Sequence, residues 1–376
     1  MAHVFIVNKI TFKTHLEHMF AGTGAADVPT DFIFDTSIKL NTQDEKRSVG
    51  MIADVSRVRK GDKIIFFVTG IAKFYGVFEA VSEFFLDPND ENSYLFDKLG
   101  KKLTYRILIK PFRVYKYGLS EYDYLDSLEG IQYPDQICWS LIYRKLGGNR
   151  GCTMITEQEY DLFIKRIEKG NEILTGTAFS FDSENNTIIP FDVQLHYEGR
   201  QIDIVENLRN NMLNRYENKK AFEHYVQYFS ILDIKNNPNS LLLVPESPVV
   251  WIGNEVMCSF GEHRIDAFVI QAKDNLVDIT LIEMKDEKAY PAITWQIDGY
   301  MKWINDYILP SFLRDNAIVR IHPVVISDGI PNARASTKER LRLVESEIEA
   351  KDWGIYNKDN VTVEKTKIIH FQDMFL

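Results

Sequence analysis

Three short motifs decide the fold of this chain: Arg264-Ile-Asp266, Glu283-Met-Lys285 and Gln296-Ile-Asp-Gly-Tyr300. The residues around the first motif (263–271, HRIDAFVIQ) and those that lead into the second (276–284, LVDITLIEM) are apolar and rich in β-branched side chains. Such runs, separated by a short polar turn, predict two neighbouring strands. The sequence therefore predicts that an Asp and a Glu lie close together on one sheet.

The Glu-x-Lys spacing predicts how the second motif is used. Because side chains alternate along a strand, Glu283 and Lys285 project to the same side, whereas Met284 turns into the core and leaves its backbone carbonyl free. Two carboxylates with open coordination positions bind Mg²⁺ or Mn²⁺, a cofactor that suits phosphodiester hydrolysis. We therefore expect a metal-dependent nuclease in which Asp266, Glu283 and the Met284 carbonyl hold the metal.

The next segment, residues 289–308, carries apolar residues at helical spacing, and Gln296 and Tyr300 share one face of that helix. The order Asp, Glu-x-Lys, Gln-x-x-x-Tyr resembles the PD-(D/E)xK nuclease superfamily, particularly its RecB-like branch. The run that continues from Gln296 also resembles the nuclease domain of the NucS (EndoMS) endonucleases. The resemblance covers roughly residues 200–335.

The resemblance implies a role for each residue of the motifs. Lys285 would position the attacking water and stabilise the transition state, and the Gln and Tyr of the helix would hold a DNA phosphate or orient that water. In this superfamily a further acid often comes from an upstream helix, and Glu223 in the helix predicted at 219–229 matches that position as an additional metal ligand. The expected catalytic residues are Asp266, Glu283, Lys285, Gln296 and Tyr300.

Residues 1–168 are dominated by short β-type runs, among them Lys63–Val68 and Gly76–Val81. The segment from Lys60 to Val81 resembles the EVE/YTH branch of PUA-like β-barrels. That resemblance implies an aromatic pocket for a base flipped out of the helix, and Trp139 is the pocket residue we expect.

The net charge of −10 argues against a broadly basic DNA-binding surface, so contact with nucleic acid requires a local patch. The run 143–150 combines cations with glycines in a way that suits a loop in contact with phosphates. Its predicted contact residues are Tyr143, Arg144, Lys145 and Arg150.

Other features of the sequence bound the class of protein. No apolar run approaches the ~18 residues of a membrane span. Three cysteines without a Cys-x-x-Cys spacing argue against a zinc ribbon and a disulfide scaffold and fit a reducing cytoplasm. The expected location is the cytoplasm of a prokaryote.

Together these patterns predict an α+β N-terminal PUA/EVE-like β-barrel domain (1–168), a linker (169–200) and an α/β restriction-endonuclease-like domain with a central mixed sheet flanked by helices (201–376). The predicted function is a Mg²⁺-dependent DNA endonuclease directed to modified bases, which resembles modification-dependent restriction enzymes, and cutting both strands calls for a homodimer. Three alternatives remain open. They are a NucS-like nuclease acting on mismatched or branched DNA, a non-catalytic nucleic-acid reader, and an effector nuclease switched on by a small nucleotide.

Overall fold

The structure, a computed structural model, describes residues 1–24, 28–88, 94–99, 103–125, 138–142, 151–193, 195–258, 263–285, 290–328 and 335–376. The chain divides into two compact units. The first comprises Met1–Glu129 and Ser140–Lys220, and the second comprises Gly130–Trp139 and Ala221–Leu376.

The first unit is built on a curled, half-barrel sheet of eight strands. Its strand order is β2-β6-β4-β3-β1-β8, with β5 beside β6 and β7 beside β4; β1 and β3 pair parallel, and the other pairs named here are antiparallel. The strands are β1 (Ala2–Val7), β2 (Phe20–Thr23), β3 (Lys63–Val68), β4 (Lys73–Ala80), β5 (Phe85–Leu86), β6 (Tyr105–Pro111), β7 (Leu119–Ser120) and β8 (Cys152–Ile155).

Helices pack around this sheet, and local capping fixes the ends of two of them. Asn8 and Thr156 each form a capping box, in which the side chain accepts a hydrogen bond from the third helical residue and that residue's side chain accepts one in return. The helices are α1 (Lys9–Glu17), α2 (Thr42–Ser56), α3 (Phe96–Leu99), α4 (Glu121–Leu125), α5 (Trp139–Ile142, of which Trp139 is grouped with the second unit), α6 (Glu157–Ile167) and α7 (Val205–Glu217).

The first unit extends further along the chain than the predicted boundary at 168. The turn-rich segment 169–200 contains a hairpin of β9 (Phe179–Asp182) and β10 (Thr187–Pro190) instead of a free linker. The Ile188 amide donates to the Lys116 carbonyl at 2.9 Å, and Leu86 and Ile202 exchange two backbone hydrogen bonds. The turn signals in the sequence therefore mark the ends of a short hairpin, which bonds to the segment between β6 and β7 of the first unit.

The second unit is built on a six-stranded mixed sheet of order β11-β12-β13-β14-β15, with β16 beside β14. The first three strands pair antiparallel, whereas β14 pairs parallel with β13, β15 and β16. The mixed sheet and both predicted strands are confirmed. The strands are β11 (Val249–Met257), β12 (Arg264–Lys273), β13 (Leu276–Met284), β14 (Ile318–Ser327), β15 (Val361–Val363) and β16 (Lys367–His370).

The helices of the second unit bury apolar faces against its core. The helix predicted after the Glu-x-Lys motif begins at Ile293 and continues through a π-helical turn (Ile304–Ile308). None of the helices in the described ranges combines the length and the apolar character that a membrane span needs. The helices are α8 (Glu223–Asn236), α9 (Ile293–Trp303), α10 (Leu309–Arg314), α11 (Ala335–Glu349) and α12 (Phe371–Phe375).

Candidate active site

The register of β12 and β13 brings the two motif acids together. Ala267 lies opposite Ile282, so the next pair along the ladder places Asp266 opposite Glu283. Directly opposed residues of an antiparallel pair share a face of the sheet and stand close to each other. The sheet therefore brings the two carboxylates to one position near the end of both strands.

Glu283 is buried, with 2% of its side chain exposed, and two side chains contact its carboxylate. The Lys285 ammonium donates to Oε1 at 2.7 Å. The Tyr300 hydroxyl lies 2.9 Å from Oε2 and 2.8 Å from the Arg264 carbonyl oxygen, so its single hydrogen is shared between them. The predicted alternation along β13 and the predicted face of α9 thus converge on one carboxylate.

Asp266 is half-buried, and its Oδ2 accepts a hydrogen bond from the backbone N–H of Met284 at 2.7 Å. Burial raises the pKa of Asp266 well above its ordinary value, and the negative charges of Glu283 and Glu223 raise it further. The group of Met284 that contacts Asp266 is its backbone N–H, and the role of its carbonyl oxygen as a metal ligand stays a prediction. That N–H stabilises the ionised carboxylate without acting as a metal ligand.

Lys285 is the cation of this cluster. Burial lowers the pKa of its ammonium, but the carboxylates of Glu283, Asp266 and Glu223 outweigh burial, and the net shift is upward. The side chain is 17% exposed and is held as an ammonium beside the acids. It therefore supplies a fixed positive charge beside the two carboxylates.

The upstream helix α8 contributes a third acid. Glu223 is its first residue, and the Glu223 charge acts on both Asp266 and Lys285. One turn further on, the Gln227 side chain donates to the Asp266 carbonyl oxygen at 3.0 Å. Glu223 and Gln227 are four residues apart and so share a helix face, a spacing in the sequence from which Gln227 could have been identified.

Gln296 and Cys258 complete the surroundings. The Oε1 atom of Gln296, one turn before Tyr300 on α9, is buried and has no hydrogen-bond partner among the described residues. Burial and the nearby Glu283 charge raise the pKa of the Cys258 thiol to about 12, which keeps it protonated and unreactive at neutral pH. The sequence carried no signal for the position of Cys258.

The donor set fits a hard divalent cation. Burial and the negative charges of Glu283 and Glu223 raise the pKa of Asp266, and the Lys285 ammonium contacts Glu283. In the described part of the chain, no three His, Cys, Asp or Glu side chains are grouped closely enough to form a complete metal site. Mg²⁺ is commonly held by one or two carboxylates and keeps several waters, so Asp266 and Glu283 would suffice.

The residues predicted to contact nucleic acid in the front unit are not brought together into a site by the described part of the structure. Trp139 is grouped with the second unit and is 7% exposed, and its ring lies edge-on to Trp251 and Trp303 at centroid distances of 5.1 and 5.5 Å. This burial within an aromatic cluster differs from the predicted base-stacking pocket. The other predicted contacts, Tyr143, Arg144, Lys145 and Arg150, lie outside the described residues.

Comparison with known proteins finds similar chains among solved structures. No family model matches it, and no curated protein matches it. Among solved structures, the Pseudomonas syringae protein PSPTO5229 is similar at 15% identity and a TM-score of 0.25, over 44% of this chain and 98% of that one. Human THYN1, solved in complex with DNA containing 5-methylcytosine, is similar at 12% identity and a TM-score of 0.25, over 44% of this chain and 95% of that one. A TM-score of this size carries no inference about function.

Proposed function

We propose that the second unit is a Mg²⁺-dependent deoxyribonuclease that hydrolyses phosphodiester bonds within DNA. The observation that carries the proposal is the convergence of Asp266, Glu283, Lys285 and Tyr300 on one half-buried position. A buried carboxylate whose pKa is raised by neighbouring acids is costly to the fold, and such groups are concentrated at functional sites.

Each side chain has a distinct task in this proposal. Asp266 and Glu283 bind the metal through their oxygens, and Glu223 adds negative charge from α8. Lys285 donates to Glu283 at 2.7 Å and offers its remaining hydrogens to a phosphate oxygen or to the attacking water. Tyr300 fixes the orientation of the Glu283 carboxylate. The unpaired Oε1 of Gln296 would accept a hydrogen bond from the attacking water. When bound, Mg²⁺ supplies charge neutralisation at the phosphate and activation of the nucleophile.

We further propose that the first unit directs cleavage to modified bases and that two copies of the chain cooperate to cut both strands. This part rests on the resemblance of residues 60–81 to EVE/YTH domains. The strands β3 and β4, which contain the resembling segment, lie side by side in the half-barrel sheet. Their rings Phe66, Phe74, Tyr75 and Phe78 are fully buried and belong to the core. A base-binding surface must therefore be formed by other residues of this unit.

The test is cleavage of matched plasmid DNAs that are unmodified or carry 5-methylcytosine or 5-hydroxymethylcytosine, with Mg²⁺ or Mn²⁺. We expect one modified plasmid to be cut and cutting to disappear in Lys285→Ala. Cutting that ignores modification would favour a repair or structure-specific nuclease of the NucS type. Absence of cutting on duplex, branched and single-stranded DNA by the intact protein would leave a non-catalytic reader as the function.

A further inference from the structure

Trp295 is the one exposed tryptophan among the five of the chain. Its side chain is 81% exposed, whereas the other four are buried at 2–7%: Trp139, Trp251, Trp303 and Trp353. Tryptophan is highly buried on average in folded proteins. An indole that stands in water on a regular helix is typical of a surface that another protein covers, since tryptophan is enriched at the centre of protein interfaces.

The indole begins a stripe along the outer face of α9. Gly299 and Lys302 follow Trp295 at four and seven residues, which places the three on one face of the helix. The Lys302 side chain is 67% exposed. The buried residues of α9 lie around the rest of the helix: Ile293, Ile297, Tyr300, Met301 and Trp303. The helix therefore packs against its own unit and leaves this stripe uncovered by the described residues.

Gly299 makes the middle of the stripe flat. A Cβ at this position would meet nothing within 4 Å, so a larger residue fits there without a clash inside the chain. Glycine weakens a helix interior relative to alanine, so its presence on an open face brings the fold no benefit. The separation of two packed helices depends on the side chains at their contact, and a glycine at that point allows a close approach.

A second exposed apolar residue lies beside the stripe. The Tyr356 hydroxyl donates to Asp298 Oδ1 at 2.6 Å, which holds the 3₁₀ turn of Gly354–Tyr356 against α9. Ile355 in that turn is 80% exposed. The surface around Gly299 thus combines two large apolar side chains with polar residues, the composition of an interface with an apolar centre and a polar rim.

The charges around the stripe cancel. Lys302 pairs with Asp298 at 2.9 Å, and the positive charge of Lys351 also acts on that carboxylate. Asp306, four residues after Lys302, adds a second carboxylate near Tyr356. Two lysines and two aspartates favour neither a polyanion nor a polycation. They suit a second copy of the same surface, because a surface that carries both signs can be complementary to itself.

A two-fold axis beside Gly299 pairs the charges with the rings. If the axis is perpendicular to α9, the two copies of the helix run antiparallel, and residues before Gly299 in one copy lie opposite residues after Gly299 in the other. Trp295 lies four residues before Gly299 and Lys302 three residues after it, roughly 6 and 4.5 Å along the helix. Each indole then lies beside the lysine of the other copy, a cation–π pair that forms twice.

We propose that two copies of the chain associate through α9, with a two-fold axis beside Gly299 that sets each Trp295 indole against the Lys302 ammonium of the other copy. The inference rests on the proposed function only in so far as cleavage of both strands calls for a homodimer, and it names the surface through which that homodimer forms.

The test measures the monomer–dimer equilibrium of the full chain by sedimentation velocity, without DNA or Mg²⁺. Trp295→Ala should raise the dissociation constant of the dimer at least about 30-fold, the loss expected for a central tryptophan of an interface. Lys302→Gln should raise it about tenfold, whereas Lys302→Arg should keep the wild-type value, because arginine also stacks on an indole. Leu343→Ala, at another helical residue of this unit that is 61% exposed, should leave it unchanged.

Gly299→Gln separates association from folding. Glutamine is a better helix former than glycine and meets no atom near its Cβ, so the urea midpoint should stay the same or rise. The dimer should nevertheless be lost, because the side chain occupies the place where the helices cross. Acrylamide quenching of tryptophan fluorescence gives a second readout, since Trp295 is the exposed indole: quenching should fall as the wild-type chain is concentrated, but not in Gly299→Gln.

Three results would overturn the inference. The first is a wild-type chain that stays monomeric at its highest soluble concentration. The second is a dimer that persists in both Trp295→Ala and Gly299→Gln, which would assign the interface to another surface. The third is a loss of DNA binding in Trp295→Ala with an unchanged dissociation constant of the dimer, which would assign the indole to nucleic acid.

Failure of the inference and failure of the proposed function are distinguishable, because association is measured without substrate. An α9-dependent dimer of a chain that cuts nothing would keep the inference and reject the nuclease. Mg²⁺-dependent cutting by a chain whose association is indifferent to Trp295 and Gly299 would do the reverse.

Discussion

Strand β13 carries buried acids at both ends, and the surroundings of these acids differ. At its beginning, Asp278 accepts hydrogen bonds from Arg320 at 2.8 and 3.0 Å and from His322 at 2.9 Å. At its end, Glu283 lies opposite Asp266, and the Lys285 ammonium faces the pair. Because five residues separate Asp278 from Glu283, the two clusters lie on opposite faces of the sheet.

The pKa values of Asp278 and Asp266 are shifted in opposite directions from that of an ordinary aspartate. Burial raises the pKa of Asp278, but hydrogen bonds and charge from Arg320 and His322 outweigh burial and hold it below its ordinary value. Burial raises the pKa of Asp266, and here the neighbouring acids add to the effect. A carboxylate that is satisfied by cations stabilises the fold. A carboxylate beside other acids lowers the stability of the fold unless a cation binds to it. That arrangement is expected of a binding site.

The largest expected effect is on the rate of DNA cleavage, which should depend on the cluster of Asp266 and Glu283. Lys285→Ala removes the ammonium at the Asp266–Glu283 pair and should slow DNA cleavage by about 1,000-fold, or about 4 kcal/mol of transition-state stabilisation. Lys273→Ala, an exposed lysine at the far end of β12, is the matched control and should leave the rate unchanged. Single-turnover cleavage with Mg²⁺ measures both. Equal rates for the two variants would remove Lys285 from the catalytic machinery.

The second prediction compares stability and concerns Asp278→Asn and Asp266→Asn. Asp278→Asn deprives Arg320 and His322 of their carboxylate and should lower the free energy of unfolding at pH 7 by about 1–3 kcal/mol. Asp266→Asn removes one of three clustered acids and should leave that free energy unchanged or raise it by about 1 kcal/mol. Urea unfolding checks both variants.

The pH dependence of the same two variants should also differ in sign. The pKa of Asp278 is lower in the folded than in the unfolded chain, so this group stabilises the fold at pH values above its unfolded pKa. That stabilisation is lost as the pH falls through the folded pKa. Asp278→Asn should therefore make the free energy of unfolding depend less on pH in the acid range. The raised pKa of Asp266 gives a contribution that is lost as the pH rises from the unfolded value through the raised folded value. Asp266→Asn should therefore make the free energy of unfolding depend less on pH between those two pKa values. The same sign for both variants would contradict the comparison.

These contrasts also show how far the sequence alone could go. The strands around Asp266 and Glu283 were predictable because apolar, β-branched runs of this length, bounded by a polar turn, are typical of buried strands. The side of β13 on which Lys285 lies and the face of α9 on which Tyr300 lies were predictable from the two-residue period of a strand and the 3.6-residue period of a helix. The hairpin within 169–200 could not be told from a linker, because turn residues mark hairpin ends and linkers alike. The aromatic neighbours of Trp139 could not be predicted, because an isolated aromatic residue gives no sign of which core it joins.

The fourth prediction concerns stabilisation of the fold by the metal. Mg²⁺ should stabilise the wild-type chain by about 2.7 kcal/mol at 100 times its dissociation constant, because only the folded chain gathers the carboxylates. Thermal unfolding in Mg²⁺ and in EDTA measures the shift. Glu283→Gln should abolish it, whereas Asp278→Asn should lower the midpoint in both buffers and keep the difference between them. A shift that survives in Glu283→Gln would assign the bound ion to another place.

The smallest expected effect comes from Tyr300→Phe. The hydroxyl is shared between the Arg264 carbonyl oxygen and Glu283 Oε2, and Lys285 still holds the other oxygen of Glu283 when the hydroxyl is removed. We therefore expect about a tenfold loss of cleavage rate, or about 1.4 kcal/mol, because Glu283 is less firmly oriented but remains charged. The matched control is Tyr356→Phe, since the Tyr356 hydroxyl also donates to a carboxylate, that of Asp298, at 2.6 Å. A Mg²⁺ titration of the cleavage rate should show a weaker apparent metal affinity in Tyr300→Phe alone. If both variants lose activity equally, the tyrosines act through the packing of α9, and orientation of Glu283 is not the cause.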